Sequence, residues 1–253
     1  MLRGFYITAN SMINQQRTID TISNNIANSM TPGYKADSSV KNTFKKELIL
    51  LADGKTSKGG TFEYKFTEST KTSLEQGSFE YTERPLDVAI QGPVYFNLST
   101  DDGNTLLTRN GQFSIDGEGY LYLPGGGRVL GENGEINVGT SDFVINEKGE
   151  ITVDGNVIDT LELTYIEDDA DIQKSGDNTF IRIVEEGEEQ LSGEIPEDIE
   201  FSIIQGAYEC SNVDISIELT KAMEAQRSFE ALSQALKMID TINQRAVSEL
   251  GKM

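Results

Sequence analysis

Three stretches of this chain carry residue types that could do chemistry. Gly125-Gly126-Gly127-Arg128 has the composition of a loop that cradles a phosphate on backbone N–H groups. It lacks the Lys-Ser/Thr pair that completes such a loop, and strand-like residues follow where a helix N-terminus would have to stand. It reads as a hairpin loop. Asp168-Asp169 with Asp171, and Asp101-Asp102 with Asn104, hold enough oxygen to suggest calcium. Neither has the alternating acidic spacing and distal glutamate that wrap the ion in an EF-hand, so both read as solvated loops. The chain has 42 acidic residues and no histidine. Carboxylates are thus its plentiful acid–base groups, which leaves a glycosidase-like pair as the open enzyme class. No spacing marks such a pair. Cys210 is the one cysteine and cannot form an intramolecular disulfide. Beside a helix start its thiol could be acidified; the plainer reading is a small residue at a junction. No catalytic, cofactor-binding or metal-ligating set emerges.

The elements that must position these groups are legible from periodicity. Phe5, Met12, Ile19, Ile22 and Ile26 lie on one helical stripe, with Thr8 and Gln15 filling the gaps. Such a helix over residues 2–28 would run roughly 40 Å. At the other end Leu219, Met223, Phe229, Leu232, Leu236, Ile239, Ile242, Ala246 and Leu250 form a longer stripe. Ser211 and Asn212 are its N-cap candidates, and Asp214 and Glu218 place negative charge near the first turn. Either stripe alone fits an ordinary core helix. Two of them at the extreme ends predict a terminal coiled coil.

The first helix is stopped firmly, by SNNIANSMTPGYK at 23–35. Asn24, Asn25 and Asn28 can divert hydrogen bonds from the helix to side chains. Thr31-Pro32-Gly33-Tyr34 fits a type II turn, with proline second and glycine third, and Tyr34-Lys35 opens an extended arm. The middle alternates as strands do, at 61–67, 111–116, 134–139 and 149–155. Asn110-Gly111, Asp116-Gly117, Asn133-Gly134 and Asp154-Gly155 supply turn signals. The segments 85–97 and 161–166 are more continuously apolar, as central strands would be. The expected fold class is α+β: long N- and C-terminal helices forming a coiled-coil-like assembly domain, with a central all-β domain. The expected boundaries are 1–35 for the N-terminal helix and turn, 36–75 for an extended linker arm, 76–205 for the β domain and 206–253 for the C-terminal helix.

Net charge is −21, which argues against nucleic acid or an anionic membrane as partner. Its distribution is uneven. Residues 51–210 hold ten basic and thirty-three acidic side chains, while the two ends are nearly neutral. Ends that associate and a centre that faces water are the expected arrangement. No apolar run approaches the roughly 18 residues that cross a bilayer, so stable membrane insertion is not expected. The N-terminal residues lack a small-residue cleavage site, which points to the cytoplasm or to export without signal cleavage.

The chain resembles the flagellar axial family, the rod and hook proteins of the bacterial flagellum. Asn25, Ala27, Asn28, Thr31, Gly33, Tyr34 and Lys35 fall on the family's Asn-rich motif. The stretch 206–214 (GAYECSNVD) resembles its second signature and 223–230 (MEAQRSFE) its third. RPLDVAIQG at 84–92 and LTRNGQFSIDGEGYL at 107–121 look like the rod-protein β domain. Two departures stand out: Pro93-Val94-Tyr95-Phe96 replaces the usual Asp-Gly-Phe-Phe, and Ala231-Leu232-Ser233-Gln234 replaces an Asn-x-Lys pattern. Within the family, FEYTERPLDVAIQ at 79–91 and IQKSGDNTF at 172–180 look more like the proximal rod component that carries a β domain than the distal rod protein.

The resemblance implies a structural subunit of the basal-body rod. It would polymerise helically through its terminal helices, with itself and other rod and hook proteins as partners, and leave the cell unfolded through the flagellar export apparatus. It implies no cofactor. The expected assembly residues are the stripe Phe5, Met12, Ile19, Ile22 and Ile26; the turn residues Asn25, Asn28, Thr31, Pro32, Gly33, Tyr34 and Lys35; the junction Ser211, Asn212 and Val213; and Met223, Gln226, Arg227, Phe229, Glu230, Leu236 and Ile239 on the last helix. The rival class is a carbohydrate-binding or carboxylate-dependent hydrolase β domain with helical oligomerisation ends.

Overall fold

The computed structural model describes residues 2–42, 67–100, 103–140, 142–166, 172–176, 178–182, 195–196 and 199–250. The fold is α+β, with a helix at each end and antiparallel sheets between. Helix α1 runs Leu2–Ala27 and helix α2 runs Ile215–Leu250. The chain divides into two compact units. A helical unit takes 1–24, 37–71 and 216–253; a β unit takes 25–36 and 72–215.

In the helical unit the two helices contact each other. The less exposed side of α2 follows Glu218, Ala222, Ala225, Phe229, Leu232, Leu236, Ile239 and Asn243. These alternate four- and three-residue steps, which is the spacing of a coiled-coil seam. On α1 the corresponding positions are Thr8, Met12, Gln15, Ile19 and Ile22. Asp37–Asn42 and Thr67–Thr72 pair as a two-stranded sheet. The expected strand at 61–67 lies outside the described residues except for Thr67.

The β unit is organised around strand Val94–Ser99. One edge pairs with Thr105–Thr108; the other is shared by Leu163–Tyr165 and Gly127–Gly131. Val94, Phe96 and Leu98 point into the larger core cluster, whereas Tyr95 points into a smaller one with Leu107, Ile166, Ile172 and Phe180. The two-residue alternation of a strand thus divides the sheet's two buried faces. Phe96 meets Phe113 edge to face at 5.0 Å, and Tyr95 meets Phe180 likewise at 5.8 Å. The apolar stretches at 85–97 and 161–166 are therefore the buried strands their composition predicts.

Turn chemistry is mostly as expected. Asp154 and Gly155, both at positive φ, join Glu150–Val153 to Asn156–Thr160. Leu121–Leu123 turns into Gly127–Gly131, so the glycine-rich stretch is a hairpin loop. Asn110-Gly111 differs: Gly111 sits against Val88, where a Cβ would stand 1.6 Å from the Val88 carbonyl oxygen. That glycine answers a close approach of two backbones, not a tight hairpin. The alternating stretches 111–116 and 134–139 yield only Ser114–Ile115 and Gly134–Glu135 as strands.

The three-stranded sheet Phe143–Ile145, Glu150–Val153 and Asn156–Thr160 has an edge at 143–145. Gln205 closes it: its Oε1 accepts from the Ile145 N–H at 3.0 Å and its Nε2 donates to the Phe143 carbonyl at 2.9 Å. One amide thereby satisfies an edge that would otherwise template pairing with another chain. Gln205→Ala should cost about 1–3 kcal/mol in urea unfolding, the penalty for leaving such groups unmet, and should raise light scattering near the transition.

Candidate assembly interface

The turn after α1 is held inside the β unit. Tyr34 N–H donates to the Thr31 carbonyl at 3.3 Å, and Gly33 adopts φ +67. This is the expected Pro-Gly turn. A Cβ on Gly33 would come within 2.5 Å of Arg109 backbone atoms, so both conformation and space demand glycine. Tyr34 Oη donates to Asn25 Oδ1 at 3.2 Å, tying the turn back to the last residues of α1. Asn178 Nδ2 donates to the Pro32 carbonyl, and Lys174 Nζ donates to the Lys35 carbonyl while lying 4.3 Å from the Tyr34 ring centroid.

Directly behind the turn is a buried ion cluster. Lys35 Nζ lies 2.6 Å from Glu209 Oε1 and donates to the Glu75 carbonyl at 2.8 Å. Arg109 reaches the other oxygen, Glu209 Oε2, at 3.2 Å, donates to the Gly92 carbonyl at 2.6 Å and stacks 4.6 Å over Tyr95. Gly77 N–H also donates to Glu209 Oε1. Glu209 is 1% exposed and Lys35 not at all. Burial pushes the Lys35 ammonium below its ordinary pKa; Glu209 opposes that shift and Arg109 reinforces it. One carboxylate therefore serves two buried cations.

The same contacts join the chain where it leaves α1 to the chain where it approaches α2. Gly33 N–H donates to the Glu209 carbonyl, and Asn212 N–H donates to the Tyr34 carbonyl. Asn212 Oδ1 accepts from Ala36 N–H at 2.7 Å, while its Nδ2 donates to the carbonyls of Ser73 and Glu75. Asn212 is thus a clamp. The helix begins three residues later than the sequence suggests, at Ile215, and Ser211 Oγ accepts locally from Val213 N–H. Nothing in residue type separates a capping asparagine from one spent on three distant backbone groups. Arg109 and Glu209 carry no periodic signal; their visible mark is their place in the family-like stretches 107–121 and 206–214, which does not say that they meet.

The candidate chemical groups are otherwise engaged. Arg128 bonds Asp116, Glu118 and Glu135 at 2.8–2.9 Å and lies 4.1 Å from the Tyr120 ring centroid. Three carboxylates around one guanidinium repel phosphate. Partial desolvation raises the Asp116 pKa, but the Tyr120 and Glu118 N–H groups and Arg128 outweigh it and hold the carboxyl below its ordinary value. Burial pushes the Cys210 thiol up, against the lowering a helix start would give. Tyr208 Oη donates to Glu80 at 2.8 Å, and that bond, with burial, lifts the phenol to about 12. Asp101, Asp102, Asp168, Asp169 and Asp171 lie outside the described residues.

The remaining expected residues fall on the helices with varied exposure. Ile22 and Asn25 are buried, and Gly33, Tyr34 and Lys35 are buried within the β unit. Met12, Ile19, Ile26, Asn28, Thr31, Pro32, Ser211, Asn212, Val213, Phe229, Leu236 and Ile239 are half-buried. Phe5 and Met223 are exposed, as are Gln226, Arg227 and Glu230. Tyr6, Ile7, Ile13, Leu219, Met238, Ile242 and Val247 add further large apolar groups in water. No helix among the described residues is long and apolar enough to cross a membrane.

The helices leave large apolar side chains in water, while the β unit holds its own buried core. The chain belongs to the flagellar basal-body rod and hook family, whose members are structural and non-enzymatic. Residues 5–35 match the flagella basal body rod protein model, residues 89–153 the flagellar hook protein FlgE/F/G D1 domain, and residues 204–249 the flagellar basal body rod FlgEFG protein C-terminal model. The chain is 32% identical to the flagellar hook-basal body complex protein FlhP of Bacillus subtilis, over 95% of this chain and 96% of that one. It is 30% identical to the flagellar basal-body rod protein FlgG of the same organism, over 98% and 99%. With the flagellar basal-body rod protein FlgF of Caulobacter vibrioides the identity is 25% over the full length of both. Its place is the flagellar basal-body rod.

Two outcomes follow from the ion cluster and its neighbour. Glu209→Gln strands two buried cations and should cost about 3–5 kcal/mol of stability. Lys35→Met leaves the neutral Arg109–Glu209 pair and should cost less; urea unfolding of the two variants orders them. The Tyr208 phenol, raised from 10.0 to about 12, contributes stability that is complete below pH 10 and lost as pH climbs through 12. Tyr208→Phe should flatten the alkaline limb of a pH–stability curve in that window.

Proposed function

We propose that this chain is a proximal component of the rod, polymerising helically through α1 and α2 into the wall of the drive shaft. It is exported unfolded through the flagellar secretion apparatus and folds where it assembles. The observation that carries the reading is the division of labour in the motif residues. The turn and junction residues are consumed inside the chain, whereas α1 and α2 present Phe5, Tyr6, Ile7, Leu219, Met223 and Ile242 to water. Such a surface gains free energy when subunits cover it. A head-to-tail contact that does not close on itself then propagates a filament. The expected assembly surface is accordingly the helical set, with Asn25 and Gly33 to Lys35 acting at one remove by holding the turn.

The proximal position is supported by FEYTERPLDVAIQ and IQKSGDNTF, the latter supplying Lys174 and Asn178 to the turn. The higher identity to FlgG than to FlgF favours a distal position instead. Basal bodies isolated from cells lacking the distal rod protein discriminate: a proximal subunit is retained in them, whereas its absence there would favour the distal reading.

Leu236→Asp with Ile239→Asp tests the helical seam. Each charge placed there unpaired costs several kcal/mol, while the β unit contains neither residue. The variant should be exported with unchanged strand signal in circular dichroism, yet fail to enter rods and leave cells non-motile. Normal motility would remove the seam from the assembly.

A further inference from the structure

We infer that the β unit carries a preformed seat for a Gly-Tyr-Lys segment, and that residues 25–36 are its occupant. The seat grips them firmly enough to keep them after the chain between Asn42 and Thr67 is cut. This inference goes beyond the rod-subunit reading and holds for either position in the rod. Residues 25–36 supply no strand to the β unit. Neither core cluster contains a side chain from them, so the described core is complete without the segment. Yet Asn25, Gly33, Tyr34 and Lys35 are buried, Lys35 wholly. The segment is thus held as a ligand is held, although it belongs to the chain.

The seat reads both backbone and side chains. Gly33 N–H donates to the Glu209 carbonyl at 2.7 Å, the Tyr34 carbonyl accepts from Asn212 N–H, and Ala36 N–H donates to Asn212 Oδ1. Asn178 and Lys174 donate to the carbonyls of Pro32 and Lys35. Position 33 admits glycine alone, because φ is +67 and the Arg109 backbone lies 2.5 Å from where a Cβ would stand. Position 35 calls for a long cation, whose ammonium reaches Glu209 Oε1 and the Glu75 carbonyl at the end of a buried stem. With Lys35 withdrawn, Arg109 and Glu209 still face each other as a neutral pair. Arg109 also keeps the carbonyls of Ile90 and Gly92. The seat therefore stands without its occupant. Buried hydrogen bonds to ionised groups are strong, and salt screens them little.

The test uses the full chain with a specific protease site placed between Asn42 and Thr67. After cleavage the N-terminal piece should co-elute with the remainder on gel filtration, even in about 1 M salt, where the screening length is about 3 Å. Two other contacts could hold that piece: α1 against α2, and Asp37–Asn42 paired with Thr67–Thr72. Gly33→Ala lies in neither. It should lower the retained fraction roughly tenfold or more, because the added methyl meets both the left-handed φ and the Arg109 backbone. Leu236→Asp with Ile239→Asp, which disrupts the helical seam, should leave the piece bound. Release from the unsubstituted or double-Asp chain, or retention in Gly33→Ala, would overturn the seat and leave the rod reading standing. The uncut Gly33→Ala chain should keep its strand signal in circular dichroism. Loss of that signal would also refute the inference, because the seat would then not form without its occupant.

Discussion

The β unit depends on Glu209 holding two cations. Lys35 arrives from the turn after α1, Arg109 from the strand region behind Tyr95, and Glu209 itself from the segment leading to α2. Each would be costly to bury alone, and a pair is worth little unless its remaining donors and acceptors are met. Here they largely are: the Glu75 and Gly92 carbonyls take protons from the cations, and Gly77 N–H caps the carboxylate. The exception is Arg109 Nε, buried without a partner. The cluster joins three segments that are far apart in the chain, and breaking it leaves buried charge uncompensated.

This convergence gives the Asn-rich segment its meaning. An amphipathic helix that stops at a Pro-Gly turn could end anywhere on a protein surface. Asn25, Gly33, Tyr34 and Lys35 are instead inside, with the turn carbonyls at Pro32 and Lys35 received by Asn178 and Lys174. The segment is read by its own chain. On the helices, by contrast, large apolar groups remain in water.

Charge and edges complete the pattern. The Arg128 cluster with Asp116, Glu118 and Glu135 ties exposed carboxylates together without making an anion site. Gln205 closes an edge strand that would invite unregulated pairing. A subunit that assembles with other rod proteins needs its unwanted contacts blocked as much as its wanted ones offered.

Much of this architecture was legible in the residues. Periodicity gave both helices, because burying one face of a helix requires a repeat near 3.6. Alternation and continuous apolar runs gave strands Val88–Gln91, Val94–Ser99 and Glu150–Val153, and the Pro-Gly order gave the turn at Thr31–Tyr34. These are local consequences of sterics and spacing. The rest was decided by contacts between residues far apart in the chain. Lys35 meets Glu209 across 174 positions, and Asn212 meets Ala36 across 176. The close packing of Gly111 on Val88 is likewise a contact between segments apart in the chain, and the strands at 114–115 and 134–135 are shorter than their alternation predicts. A side chain's type states which bonds it is able to make; only the folded neighbourhood states which of them it makes, because desolvation penalises every alternative left unpaired.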